Sequence, residues 1–375
     1  MKAVVVEQDL VTAWGVGASA CWRGILSGKP AFSPVERFNT QAFQAHIAAL
    51  VSGLDAGAAD SLVMQMLKPL LAPLAGRLPD GTLVILASTT GEVDFLERHL
   101  LSGTGAAEDS CLDRLLGRIL QVLGTRGPGR IVSAACASSS AGVAHAATLI
   151  TSGARECVLV VACDAVTEFV YSGFSSLMAL DPDGARPFDK SRKGLTVGEA
   201  AGYVLLMSDE LARRENRRVV GEVAGWGMSC DANHMTGPSR DGGGLAYAMG
   251  QALKKAGVKP QAVGSISAHG TGTVYNDSME IKAFGRVFAG TPKPPTYSIK
   301  GSIGHTMGAA GLVEMIMAIK SMEEQVIPPS VHLAEIDPEA EGWVTAEAVE
   351  AKDMRVVMST NSGFGGVNVA LVLKA

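Results

Sequence analysis

Ser133-Ala134-Ala135-Cys136-Ala137-Ser138-Ser139-Ser140 is the stretch on which the reading of this chain turns. A β-type run at 130–133 leads into it, and an Ala-rich helical run at 141–151 leads out. Cys136 therefore stands on a tight strand-to-helix turn. The first N–H groups of a helix lack partners and its dipole is positive there, which favours a thiolate. Small neighbours let backbone N–H groups and a substrate carbonyl come close to the sulfur. That suits acyl transfer, in which the sulfur attacks a thioester. A buried structural cysteine would fit the same eight residues, so the rest of the chain has to decide.

Outward from this turn, short β-type runs alternate with helical ones. The strand pattern falls at 3–6, 83–87, 130–133, 157–163, 201–207, 219–225, 265–268, 295–298, 356–361 and 367–373. The helical pattern falls at 61–78, 92–101, 111–123, 139–151, 208–215, 244–256, 277–288 and 308–323. Such alternation predicts an α/β protein with covered sheets. An internal echo accompanies it. The strand, turn and helix of 130–150 recur at 265–288, and Val-rich strands open at residues 3 and 219. The expectation is two similar halves, 1–218 and 219–375.

Composition narrows the class. Of 375 residues 47% are apolar and 18% charged, enough for a large core and too apolar for disorder. Mean hydropathy is +0.23, yet no run of 18 apolar residues exists to span a bilayer. Net charge is −5 and no long basic tract occurs, which argues against nucleic acid as a partner. The denser basic runs, Arg213-Arg214 with Arg217-Arg218 and Lys190 with Arg192-Lys193, read as solvated faces. Glu7 and Asp9 interrupt the apolar N-terminus before it could act as an export signal. Six cysteines without a CxxC pair suit neither a disulfide framework nor a zinc site. The expectation is a reduced cytoplasmic protein with no cofactor and no metal. Cys157 and Cys163 read as core, and Cys21, Cys111 and Cys230 carry no supporting context.

Three further constellations bear chemistry. Ala268-His269-Gly270-Thr271-Gly272-Thr273 follows a strand, so its imidazole opens toward a pocket; Asp277 and Glu280 follow at a helix start, where Asp277 suits the positive end of the dipole. Lys300-Gly301-Ser302-Ile303-Gly304-His305-Thr306-Met307-Gly308 is a Gly-rich loop opening a helix that carries Glu314. A cation near His305 disfavours the imidazolium and keeps a neutral ring able to donate. Asn361-Ser362-Gly363-Phe364-Gly365-Gly366-Val367-Asn368 places an aromatic plug among glycines whose N–H groups can serve an oxyanion.

In this order the four constellations resemble the β-ketoacyl-ACP synthases, the elongating condensing enzymes of fatty acid and polyketide synthesis. Arg186-Pro187-Phe188-Asp189-Lys190, Gly198-Glu199-Ala200-Ala201-Gly202 and Met228 to Thr236 add to the likeness, which is strong over about residues 125–375. The resemblance implies a thiolase-like five-layer αβαβα fold and a dimer, of identical copies or with a homologous subunit. It implies that Cys136 accepts an acyl chain from an acyl carrier protein, and that His269 and His305 assist decarboxylation of malonyl-ACP. Lys300 would tune the His305 site. The N–H groups of Cys136 and Phe364 would form an oxyanion hole, with Phe364 gating the pocket and Glu280 and Glu314 supporting. Arg186, Lys190, Arg192 and Arg213 are the residues expected to meet the acidic carrier. The chain departs from the family where Glu7-Gln8-Asp9-Leu10 stands in place of a Thr-Gly turn after the first strand, and where the stretch 51–130 is shorter. Thiolases carry a second cysteine near the C-terminus, absent from 361–368. Priming enzymes carry Asn at the place of His305. Chain-length-factor subunits lack the nucleophile that Cys136 supplies.

Overall fold

In the computed structural model, which describes residues 1–375, ten strands form the frame. The first five are β1 (Ala3–Thr12), β2 (Leu83–Ala87), β3 (Gly129–Val132), β4 (Cys157–Asp164) and β5 (Ala200–Ser208). The second five are β6 (Gly221–Cys230), β7 (Ser265–Ser267), β8 (Thr296–Tyr297), β9 (Val356–Gly363) and β10 (Val367–Lys374). The first five lie in the order β3-β2-β4-β5-β1 and the second in the order β8-β7-β9-β10-β6. The senses repeat as well. β2 is parallel to β3 and β4, while β5 is antiparallel to β4 and β1. Likewise β7 is parallel to β8 and β9, while β10 is antiparallel to β9 and β6. Two antiparallel rungs, Val4 with Glu222 and Val5 with Gly221, join the sheets at β1 and β6.

Eleven helices cover them: α1 (Ala18–Leu26), α2 (Leu62–Leu71), α3 (Val93–Ser102), α4 (Leu112–Val122), α5 (Ser138–Thr151), α6 (Glu168–Ser176), α7 (Asp209–Arg214), α8 (Gly243–Ala256), α9 (Val274–Val287), α10 (Lys300–Ile303) and α11 (Ala310–Glu324). The strand period of two sorts the layers. On β4, Val158, Val160 and Ala162 face a central core that also holds α5, α11 and Val369, Leu371 and Leu373 of β10. Leu159, Val161 and Cys163 face an outer layer made by α2 and α4. Ala370 and Val372 of β10 face the other outer layer, made by α8 and α9. Five layers result, helix, sheet, helix, sheet, helix. The two middle helices, apolar on nearly every side, are enclosed between sheets.

The structure changes several sequence expectations. The first strand does not stop at Val6. A bulge between Val5 and Glu7 lets it continue to Thr12, and the turn comes at Thr12–Gly15, where Gly15 and Val16 pair back onto it. Pro69 lies inside α2, and Pro73 follows in a 3-10 turn, so the helix ends near Leu71 instead of Leu78. Helices α1, α6 and α10 lie outside the stretches of helical pattern. The internal echo is also paired differently. By strand order, the counterpart of the Cys136 turn is the segment between β8 and α11, which holds Lys300 and His305. The His269 loop, between β7 and α9, corresponds to the segment between β2 and α3.

Candidate active site

Cys136 sits where β3 passes into α5. Ala135 takes a left-handed φ of +49°, which bends the chain sharply before the cysteine; a non-glycine residue there costs about 1–2 kcal/mol. Ser138 fastens the elbow, donating from Oγ to Ala135 O at 2.6 Å and accepting from Ala134 N at 2.8 Å. The thiol is buried, and that burial pushes its pKa up to about 11. The Lys300 ammonium and the N–H groups of Phe364 and Cys136 pull the other way, while Asp164 pushes up. The expectation of a resting thiolate is thus corrected: at a helix start that is also enclosed, desolvation outweighs the dipole.

His269 follows β7, and α9 holds its loop in place. Glu280 accepts from His269 N at 2.9 Å and Gly270 N at 2.6 Å. Asp277 accepts from Thr271 N at 3.0 Å, Gly272 N and Phe188 N. Asp277 is therefore a clamp on the Gly-Thr loop more than a charge at a helix start. Burial pushes both carboxyls up, Glu280 to about 7.

Lys300 opens α10 entirely buried. Its three donors reach His269 O at 2.5 Å, His269 Nδ1 at 3.1 Å and Glu314. Asn361 Nδ2 bonds the second oxygen of Glu314 at 2.5 Å. The lysine thus rests on His269, not on His305 as the sequence reading had it; it reaches His305 only through space. His305 Nδ1 instead accepts from Met307 N at 3.1 Å. Burial first, and the Lys300 charge second, hold both imidazoles well below the usual histidine range, so both are neutral. Since each Nδ1 accepts, each Nε2 carries the proton. The rings meet edge to face, 5.1 Å between centroids. Cys136 Sγ and a ring nitrogen of each histidine lie within 4.8 Å of one another. These three, one cysteine and two histidines, are also spaced to share a metal ion; a dication there would face the Lys300 ammonium across His269, which disfavours it.

Phe364 follows β9, and Gly365 and Gly366 turn the chain behind it at φ of +84° and +80°. A Cβ on Gly363 would lie 3.1 Å from Cys136 N and from Ala134 O, so the absence of a side chain there eases the close approach of this loop to the elbow. The Phe364 ring lies 5.9 Å from Phe174 of α6, and Phe174 lies 6.4 Å from His305. The two phenyl rings stand between two clefts that meet at Cys136. One is polar and runs past Thr271 and Thr273 to Thr236 and Pro238. The other is apolar and runs past Phe169, Val170, Gly173, Leu177 and Met307.

Of the basic residues expected to meet a carrier, Arg186 and Lys190 lie on the loop beside Thr271 and Gly272 and are tied to Asp183 and Glu335. Arg192 is no docking residue. Its side chain is 5% exposed and pairs with Asp337 at 2.5 Å and Asp277 at 3.6 Å, bracing the His269 loop. Arg213 is on α7, past the end of β5 that pairs with Cys157. The site is at the other end, where Asp164 binds Gly308 N, roughly 23 Å along β4. Three residues with no role in the sequence reading hold the site. Asp164 ends β4 and accepts from Ser88 Oγ, Thr89 N, Thr90 N and Gly308 N, fastening the two halves beside Cys136. Glu199, wholly buried, takes both nitrogens of Arg37 and the N–H groups of Val51 and Val166. Asn361 links Glu314, His269 and Ser140. A lone Asp at a strand end carries no sequence signal; its partners come from two distant segments, 88–90 and Gly308.

A duplicated five-layer frame with a cysteine at the strand-to-helix elbow of its first half defines a class, the thiolase-like acyltransferases. Comparison with known proteins resolves the family within it. Residues 103–212 match the family described as Beta-ketoacyl synthase, N-terminal domain, and residues 220–334 match Beta-ketoacyl synthase, C-terminal domain. The chain belongs to the β-ketoacyl synthase family. It is 31% identical over 411 aligned positions to 3-oxoacyl-[acyl-carrier-protein] synthase 2 of Vibrio cholerae, covering 100% of this chain and 99% of that one. It is 31% identical to the Oxytetracycline polyketide putative beta-ketoacyl synthase 1 of Streptomyces rimosus, covering 99% and 96%. Among solved structures, the ishigamide ketosynthase/chain length factor superposes with a TM-score of 0.87 at 31% identity, covering 100% and 99%. A beta-ketoacyl synthase from Burkholderia phymatum superposes at 0.88 with 26% identity, again covering 100% and 99%. The chain is accordingly an acyltransferase-type condensing enzyme. No helix in it is long and apolar enough to cross a membrane.

Proposed function

We propose that this enzyme condenses an acyl chain with a malonyl unit, both delivered on an acyl carrier protein, to give a 3-oxoacyl-ACP. The observation that carries the reading is the convergence, within 4.8 Å, of one thiol and a ring nitrogen of each of two neutral imidazoles. In the first half-reaction the N–H groups of Cys136 and Phe364 hold the thioester oxygen. Sulfur attacks, the bond from the acyl carbon to the carrier sulfur breaks, and the departing thiol takes the Cys136 proton. In the second, His269 and His305 hold the malonyl thioester oxygen by hydrogen bonds. The carbon–carboxylate bond breaks, CO₂ leaves and the oxygen gains enolate charge where the two donors already point. The enolate carbon then attacks the acyl-Cys136 carbonyl, and Cys136 departs and recovers a proton. Lys300 acts by holding His269 and by keeping both rings neutral; Glu314, Asn361 and Glu280 keep Lys300 and the loop in place.

The halves 1–218 and 219–375 then have separate duties, the first carrying the nucleophile and the second the histidines. Arg186, whose backbone packs on Gly272 between two cleft-lining threonines, and Lys190 on the same loop suit an acidic carrier. A dimer is supported by β3, an edge strand with Arg130 and Ile131 exposed, and by Phe169 and Leu177, 60% and 48% exposed along the apolar cleft. A second copy, or a homologous subunit, would cover both. The alternative, a subunit that only shapes its partner's pocket, gains from the similarity to the ketosynthase/chain length factor structure but leaves the Cys136 site without a use.

The test measures CO₂ release from malonyl-ACP beside acylation of the enzyme. Cys136→Gln should abolish condensation and retain decarboxylation. His269→Ala and His305→Ala should each slow decarboxylation about 10²–10³-fold, as loss of one such donor costs about 2.7–4 kcal/mol. Wild-type decarboxylation in both histidine variants would refute the mechanism.

A further inference from the structure

The rim of the polar cleft carries a cation that the chain itself leaves unpaired. Thr236 and Pro238 line one wall of the cleft, and Thr273 and Asn276 line the other. Arg240 follows the first segment by two residues, Tyr275 belongs to the second, and the Arg240 guanidinium lies 5.5 Å over the Tyr275 ring. The pair therefore bridges the two walls at the point where the cleft reaches solvent. Around it Arg186 is tied to Asp183, Lys190 to Glu335, Lys193 to Asp183 and Arg286 to Asp241, while Lys282, two turns along α9 from Tyr275, is unpaired like Arg240. Asp241, next in sequence, is taken by Arg286, Ser239 and Gly243. Arg240 is exposed with no carboxylate within 4.0 Å. Stacking fixes the plane of a guanidinium and leaves its edge N–H groups free, the geometry that suits a phosphate. Beside it, Met235 at 80%, Val274 at 51% and Tyr275 at 62% exposure make an apolar collar for an alkyl chain leaving the cleft.

We propose that Arg240, held by Tyr275, is the anchor for the phosphate of a phosphopantetheine arm whose thioester lies at Cys136, so that this enzyme discriminates phosphorylated from unphosphorylated pantetheine thioesters. The inference rests on the acyl-transfer reading above and deepens it. Tyr275 is a positioning residue; it acts through the arginine.

The first half-reaction tests it with small probes. The purified full chain is incubated with acetyl- to octanoyl-phosphopantetheine and with the same acyl pantetheines, and the rate of acylation of Cys136 is followed by intact mass. Wild type should favour the phosphorylated thioesters about two- to fivefold, the scale of one charge pair at an exposed site, and the preference should shrink as salt rises. Arg240→Gln should bring the ratio close to unity. Arg240→Lys should keep part of it, and Tyr275→Leu should lower it because the head is no longer held. A wild-type ratio in Arg240→Gln, or no preference in wild type, overturns the anchor while acylation of Cys136 leaves the acyltransferase reading standing. Absence of acylation by every probe overturns both.

Discussion

Cys136 shows how two local effects of opposite sign are resolved by enclosure. Its helix start and Lys300 favour the thiolate, and burial disfavours it by more, leaving a pKa of about 11. The resting nucleophile is therefore a thiol, and the thiolate fraction should grow tenfold with each pH unit through the neutral range. Alkylation of Cys136 by iodoacetamide, read by peptide mass, should rise with unit slope from about pH 7 toward 11. A plateau below pH 8 would mean a resident thiolate and defeat this account. The same logic explains the histidines. Two buried rings beside an ammonium cannot hold a second positive charge, so they serve as donors, and their orientation follows from what each Nδ1 accepts.

Among the elements, the crossing of α5 and α11 decides how close the nucleophile and the histidine loop can come. Gly311, in the first turn of α11, packs on Ser140 of α5, and a Cβ there would lie 2.7 Å from Asn361 Oδ1 and closer still to Ser140 Oγ. Gly311→Ala should therefore destabilise by about 1–3 kcal/mol through overpacking, and should slow decarboxylation because Asn361 is moved off Glu314. Gly250, exposed on α8, meets nothing within 4 Å. Gly250→Ala should stabilise by about 0.5–1 kcal/mol, since alanine loses less backbone freedom in a helix. Denaturant midpoints for the two variants should shift in opposite directions; equal shifts would discard the packing argument.

For the whole molecule, one side remains unfinished in a single chain. β3 ends its sheet uncovered, and the apolar cleft opens beside it. If a second subunit covers them, Ile131→Lys should place a charge in the seam and shift the species toward monomer in sedimentation, with loss of long-chain acylation before loss of acetyl acylation. An unchanged mass would move the contact elsewhere. The alternation of strand and helix and the four motifs holding Cys136, His269, Lys300, His305 and Phe364 were legible in the sequence. Each is a local pattern of period two, period 3.6 or a glycine where backbone must come close. The pairing of Lys300 with His269, the burial of Arg192, the remoteness of Arg213 and the hub at Asp164 were not legible, because each depends on which segments a duplicated fold brings together. The sequence determined which chemical groups this protein owns and where its backbone turns; the tertiary structure alone decided their neighbours and their desolvation, and hence that the thiol and both imidazoles rest uncharged.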